Sequence, residues 1–127
     1  MAIIKAVSSK SPIKTAIAYI SKEEKTDKKL LSGYNLTSPE TSYDEMQITK
    51  EIWNKTGGRT YKHYVQSFAP NEKITPKQAY AIAKEFVESC PQFKGFEVLI
   101  ATHQDREHIH THFILNEVSM YMFSVLM

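Results

Sequence analysis

The sequence predicts an α+β domain: a mainly antiparallel central sheet with helices packed on it as a two-layer sandwich. Three observations carry this. Strand-like alternation is interleaved with helical periodicity along 127 residues, a length that suits one domain with a real core. Two of the helical segments open on a capping-box spacing. The last two strand-like segments are joined by a short polar link, so they pair as an antiparallel hairpin.

The elements follow in order. "AIIKAV" (2–7) alternates weakly and reads as a first strand. In "SPIKTAIAYISK" (11–22) Ser11 stands at an N-cap position and Pro12 at the first helical position. Ile13, Ala16, Ile17 and Ile20 then fall on one helical face. Residues 21–29 read as a charged loop, where Lys22, Lys25, Lys28 and Lys29 are interrupted by Glu23, Glu24 and Asp27. Such a mixed run is most often a solvated segment and only sometimes a phosphate-contacting patch. "LLSGYNLT" (30–37) predicts a short strand broken by Gly33. "SYDEMQITKEIWNKTGG" (42–58) predicts a helix, with Ser42 and Glu45 in capping-box spacing and Gly57–Gly58 at its end. "TYKHYVQSFA" (60–69) alternates aromatic and β-branched residues with polar ones, as a strand does. "TPKQAYAIAKEFVESCP" (75–91) carries the second capping box, Thr75 with Gln78, and has Pro76 inside its start and Pro91 beyond its end. "FEVLIATH" (96–103) is an apolar strand, "QDRE" a polar turn, and "HIHTHFILNEV" (108–118) the returning strand.

Composition narrows the class. The hydrophobic share of 42% and charged share of 24% are those of a globular chain and exclude one that is largely disordered. A net charge of +2 is too weak to identify a nucleic-acid partner by itself. The single cysteine, Cys90, excludes an internal disulfide. The first twenty residues lack the apolar core and cleavage site of a signal peptide, and the apolar end "SMYMFSVLM" is too short to span a bilayer. A cytoplasmic protein with no membrane insertion is the expectation.

Four of the five histidines lie in residues 102–118. On a strand, side chains two apart share a face, so His108, His110 and His112 project together while Ile109, Thr111 and Phe113 point the other way. Hairpin pairing brings His103, at the end of the preceding strand, beside His110. Imidazoles from two adjacent strands make a protein half-shell for a divalent metal, with positions left for substrate and water. Apolar residues around them argue for a rigid mount. Asp105, in the turn, is placed to accept a hydrogen bond from an imidazole or a proton from a reacting group. The bland alternative is a solvated polar face. A purification tag would be an unbroken run, and these histidines alternate with other residues. A metal held here could serve hydrolysis by activated water, oxygen chemistry or polarisation of a phosphodiester.

From His103 to Asn116 the pattern is H-x-D-x-x-H-x-H-x-H-x-x-x-N. It resembles the histidine motif of the relaxase/mobilization nucleases, members of the HUH endonucleases, which start conjugative DNA transfer. "AIAYISK" (16–22) resembles the family's tyrosine-bearing helix, "SGYNL" (32–36) a segment before its second helix, and "HYVQSFAPNEKITPKQA" (63–79) its strand with a motif serine. The likeness covers residues 1 to about 119. It implies site- and strand-specific nicking at a transfer origin for plasmid mobilization, by transesterification through a 5′-phosphotyrosyl intermediate. Carried onto this chain, it makes Tyr19 the nucleophile and His103, His110 and His112 the metal ligands. Asp105 becomes a general base or a group orienting a ligand. Ser67, His108 and Asn116 become DNA-contacting or supporting residues. Mg or Mn is the ion implied in the cell, with Zn, Co and Ni also suited to three imidazoles. The partners implied are single-stranded DNA at the origin and an accessory protein there. A phenol ionises only near pKa ~10, which fits a nucleophile that needs a base or cation beside it.

After Ser119 the likeness fades. The reading is therefore a relaxase catalytic core over 1–119 and a divergent apolar tail over 120–127, as in a C-terminally truncated copy. Two other readings compete: a metal-dependent phosphoesterase that attacks with water, and an inactive single-stranded-DNA-binding remnant.

Overall fold

A computed structural model of the chain describes residues 2–7, 11–22, 26–53, 61–69, 72–104 and 109–120. Five strands form one antiparallel sheet: β1 (Ala2–Val7), β2 (Leu31–Tyr34), β3 (Tyr61–Phe68), β4 (Val98–His103) and β5 (His110–Asn116). Three helices pack on it: α1 (Ile13–Ile20), α2 (Ser42–Ile52) and α3 (Pro76–Ser89). The strand order is β1-β3-β5-β4-β2, so β5 and β4, which carry the histidines, lie inside the sheet. The α+β class, the antiparallel sheet and the helices packed on it are those the sequence predicts.

The helices divide between the two faces, α1 and α2 on one and α3 on the other, so the sheet is covered on both sides and not on one as in the two-layer sandwich the sequence predicts. Leu99, Ala101 and Ile114 join Ile13, Ala16, Ile17 and Ile20 of α1 and Met46 of α2 in one core. Val98, Ile100, Phe113 and Leu115 join Ala83 and Val87 of α3 in another. Alternation along β4 and β5 sends these two sets to opposite faces. Both strands are buried along nearly their whole length, which explains why they read as apolar runs rather than as clean alternation. Among the described residues β1 is an edge strand, paired with β3, and leaves Ile3, Ile4 and Val7 exposed.

Local chemistry accounts for the element ends. The Thr75–Gln78 capping box forms in both directions, with Thr75 Oγ1 accepting from the Gln78 amide and Gln78 Oε1 accepting from the Thr75 amide. Thr75→Ala removes the first of these bonds; a loss of about 1 kcal/mol is expected in urea unfolding, and an unchanged midpoint would refute it. The other starts shift by one residue. α1 begins at Ile13 with Pro12 as its cap and no side-chain capping bond, because Ser11 Oγ is one residue too far out. In α2 the cap is Thr41, not Ser42; its hydroxyl donates to Glu45 at 2.5 Å, and Glu45 also accepts from the Thr37 amide. Ser42 is buried against the core instead. Gly57 and Gly58 lie outside the described residues.

Gly33 does not break its strand. β2 runs through it, paired with Leu99, and the missing side chain makes room for Leu36: a Cβ at position 33 would lie 2.6 Å from the Leu36 Cβ. The strand ends instead at Asn35, whose φ of 59° turns the chain in a conformation asparagine tolerates. Its side-chain amide donates to the Phe96 carbonyl at 2.8 Å. Among the described residues, no helix is long and apolar enough to cross a membrane.

Candidate metal and nuclease centre

The β4–β5 register places His103 directly opposite His110, and Ala101 opposite His112. All three histidines therefore point to the face that α1 and α2 cover. Their ring centroids are 4.2 Å apart for His103–His112, 5.0 Å for His110–His112 and 5.2 Å for His103–His110. One nitrogen from each ring lies within 4.8 Å of the others. Imidazole–metal bonds are about 2.0–2.1 Å, so small side-chain rotations let three such nitrogens share one ion. His103 and His112 are buried and His110 half-buried, which leaves the open side of the triad at His110.

Hydrogen bonds to ring nitrogens orient His103 and His112. His103 Nε2 lies 3.0 Å from the Ile20 carbonyl at the end of α1. A carbonyl only accepts, so Nε2 carries a proton, and in the neutral ring Nδ1 then carries the lone pair. His112 Nδ1 shares a 2.7 Å hydrogen bond with His63 Nε2 on β3. Metal-binding histidines characteristically use the second nitrogen in this way. His63 was not singled out from the sequence, since a lone histidine in an aromatic strand gives no local signal. Its position four residues before Ser67, hence on the same strand face, is the one available clue. Burial, and then the nearby His103, hold the His63 ring below the usual histidine range, which favours the neutral form that can accept this bond.

Tyr19 stands at the rim. It is 43% exposed, and its ring meets that of His103 edge-on with centroids 6.3 Å apart. The Lys22 ammonium lies 6.0 Å from the Tyr19 ring centre. The neighbouring residue, Ile20, is fully buried and supplies the carbonyl that binds His103. The last turn of α1 is thus anchored to the triad, and the tyrosine is carried to its edge. Ser67 sits in register with His110 on the same face of the sheet.

Asn116 is elsewhere. It has no accessible surface, so of the two roles expected for it, contact with DNA is excluded by burial and support remains. Its side-chain carbonyl accepts from the buried Lys50 ammonium, while its amide donates to Glu97 at 3.0 Å and to the Met46 carbonyl at 3.2 Å. The network ties β5 to α2 and to the start of β4. Burial lowers the Lys50 pKa to about 8, against the pull of Glu97 and Glu117. Burial likewise raises that of Glu97. Asp105 and His108 lie outside the described residues.

Comparison with known proteins adds a second line. Residues 19–126 match the family model described as relaxase, MobA/VirD2-like, nuclease domain. The chain is 31% identical over 130 aligned positions to the group II intron-interrupted relaxase LtrB of Lactococcus lactis subsp. cremoris (strain MG1363), covering 81% of this chain and 23% of that protein. It is 30% identical over 120 positions to protein rlx of Staphylococcus aureus, covering 94% of this chain and 34% of that one. The chain therefore spans about a quarter to about a third of the length of these curated relatives. No solved structure matches it significantly.

Proposed function

The chain belongs to the MobA/VirD2-like relaxase nuclease family, and we propose that it nicks single-stranded DNA at a transfer origin by transesterification on Tyr19. The observation that carries this reading is the placement of Tyr19 against His103, one ring of a three-histidine cluster. The Tyr19 hydroxyl oxygen attacks the scissile phosphorus and gives up its proton to a base, for which Asp105 is the candidate. The phosphorus–O3′ bond breaks, the 3′-oxygen takes the proton back from that base and leaves as a hydroxyl, and the 5′-phosphate stays on the tyrosine. Reversal by a 3′-hydroxyl reseals the strand, because the phosphodiester energy is kept in the covalent link.

His103, His110 and His112 would hold a divalent ion through their ring nitrogens. When bound, the ion supplies positive charge to a non-bridging phosphate oxygen, where charge grows in the transition state. Three nitrogen donors suit Mn, Co, Ni or Zn better than Mg, which favours oxygen ligands. The register of Ser67 with His110 supports a DNA-contacting or supporting role for Ser67, and the family resemblance gives His108 a role of the same kind. The catalytic core is assigned to residues 1–119.

Incubating the protein with Mn²⁺ and single-stranded DNA carrying the cognate origin tests the reading. A covalent protein–DNA adduct that resists denaturant and disappears in Tyr19→Phe is the expected result, with metal binding in that variant unchanged. Cleavage without an adduct would instead favour attack by water, and strand binding without cleavage would favour a binding remnant.

A further inference from the structure

On the side of the sheet covered by α3, a cavity of about 620 Å³ opens between the 3-10 turn Lys28–Leu30 and the first turns of α3. We propose that this groove binds the single-stranded DNA that flanks the reacting phosphate. The inference rests on the relaxase reading above and adds to it a surface separate from the histidines.

Four observations point there. The groove is lined by Lys29, Lys77 and Lys84 against one acid, Asp27, and the Asp27 carboxylate is already engaged by the Lys29 backbone amide at 2.9 Å. Lys77, Tyr80 and Lys84 stand at i, i+3 and i+7, on one face of α3. Tyr80 is only half-buried, and its ring lies 5.6 Å from the Lys84 ammonium. Gln104 also lines the cavity, and it directly follows His103, so the end of β4 serves the triad with one residue and the groove with the next.

Lysines that track a backbone beside an aromatic ring that takes a base are the parts of a single-strand site. A duplex offers phosphates but no unstacked base for Tyr80, so the arrangement selects a single strand. The volume falls within the range of about 300–1,000 Å³ typical of ligand sites and accommodates a nucleotide rather than a long tract. The lysine-rich segment after α1 thereby gains a role. Thr26 pins it to the sheet through a 2.7 Å bond from its hydroxyl to the Thr102 carbonyl, which holds Lys29 at the groove.

The test is anisotropy of a labelled single-stranded oligonucleotide titrated with the whole chain across a salt series. The triple variant Lys29→Ala, Lys77→Ala, Lys84→Ala is expected to bind about ten-fold or more weakly and to lose about two units of salt slope, from ~0.7 per phosphate contact. Tyr80→Ala should weaken binding by roughly five-fold or more. Both variants should take up Co²⁺ at the triad as the native chain does. The corresponding Lys→Arg triple should bind normally, which separates charge from any loss of fold. Unchanged affinity and slope in the alanine variants would overturn the groove, as would equal competition by duplex DNA together with a silent Tyr80→Ala. If no adduct forms on Tyr19 while the groove variants still weaken strand binding, the proposed reaction fails and the groove stands.

Discussion

His112→Ala is expected to abolish tight uptake of Mn²⁺ or Co²⁺ by the chain, measured by calorimetry, and with it all adduct formation. Two imidazoles remain in that variant, one of them half-exposed, and they no longer close around a common point. His63→Ala is the informative companion. It leaves the three donors in place and removes only the ring that holds His112 Nδ1. Loss of such an orienting partner typically costs about ten- to a hundred-fold in metal affinity. The expected order is therefore native, then His63→Ala, then His112→Ala, with clear gaps between them. A His112→Ala variant that binds Mn²⁺ as tightly as the native chain would remove the triad from the mechanism.

The second large effect is on stability and lies well away from the histidines. Asn116→Leu keeps the volume but strips the buried Lys50 and Glu97 of their shared partner. Breaking a buried charged network by removing one member costs about 3–5 kcal/mol, a large share of the ~5–15 kcal/mol that holds a domain together. For a chain of this size the melting temperature should fall on the order of 10–20 °C. A shift of only a degree or two would show that solvent reaches the network.

The same network makes a pH prediction with a definite sign. The Lys50 pKa is about 8 in the fold, below the 10.5 of an unperturbed lysine, so between these values the unfolded chain binds more protons. Stability contributed by this group therefore rises as pH climbs from about 8 toward 10.5. Glu97 acts at the other end. Its folded pKa is raised, so its contribution falls as pH rises from the ordinary carboxylate range through the folded value. Melting curves of Lys50→Met should lack the alkaline gain that the native chain shows.

Much of the architecture was legible because it rests on local signals. The apolar runs of β4 and β5, the polar link between them and the Thr75–Gln78 box are all decided within a few residues. The pairing of His103 with His110 follows from the hairpin alone. What escaped depends on partners distant in sequence. Lys50 sits in an amphipathic helix, where a lysine ordinarily faces water; its burial is set by Asn116, on a strand formed much later in the chain. His63 acquires its meaning only when β3 lies beside β5. The caps of α1 and α2 each fall one residue from the serine, and neither Pro12 nor Thr41 makes a side-chain capping bond that would mark the position locally. The geometry, not the residue type, decides which residue caps.

The bond from His103 to the Ile20 carbonyl has a consequence for how such a centre can diverge. Its acceptor belongs to the main chain, so no substitution at position 20 can delete it. Replacing Ile20 alters packing and leaves the oxygen in place for as long as α1 keeps its winding and its seat on the sheet. The attachment of the tyrosine's helix to the histidines is therefore invisible in any comparison of side chains and tolerant of drift at that site. An insertion or deletion inside α1 is another matter: it would rotate a different carbonyl toward His103 and carry Tyr19 away from the rim in the same stroke.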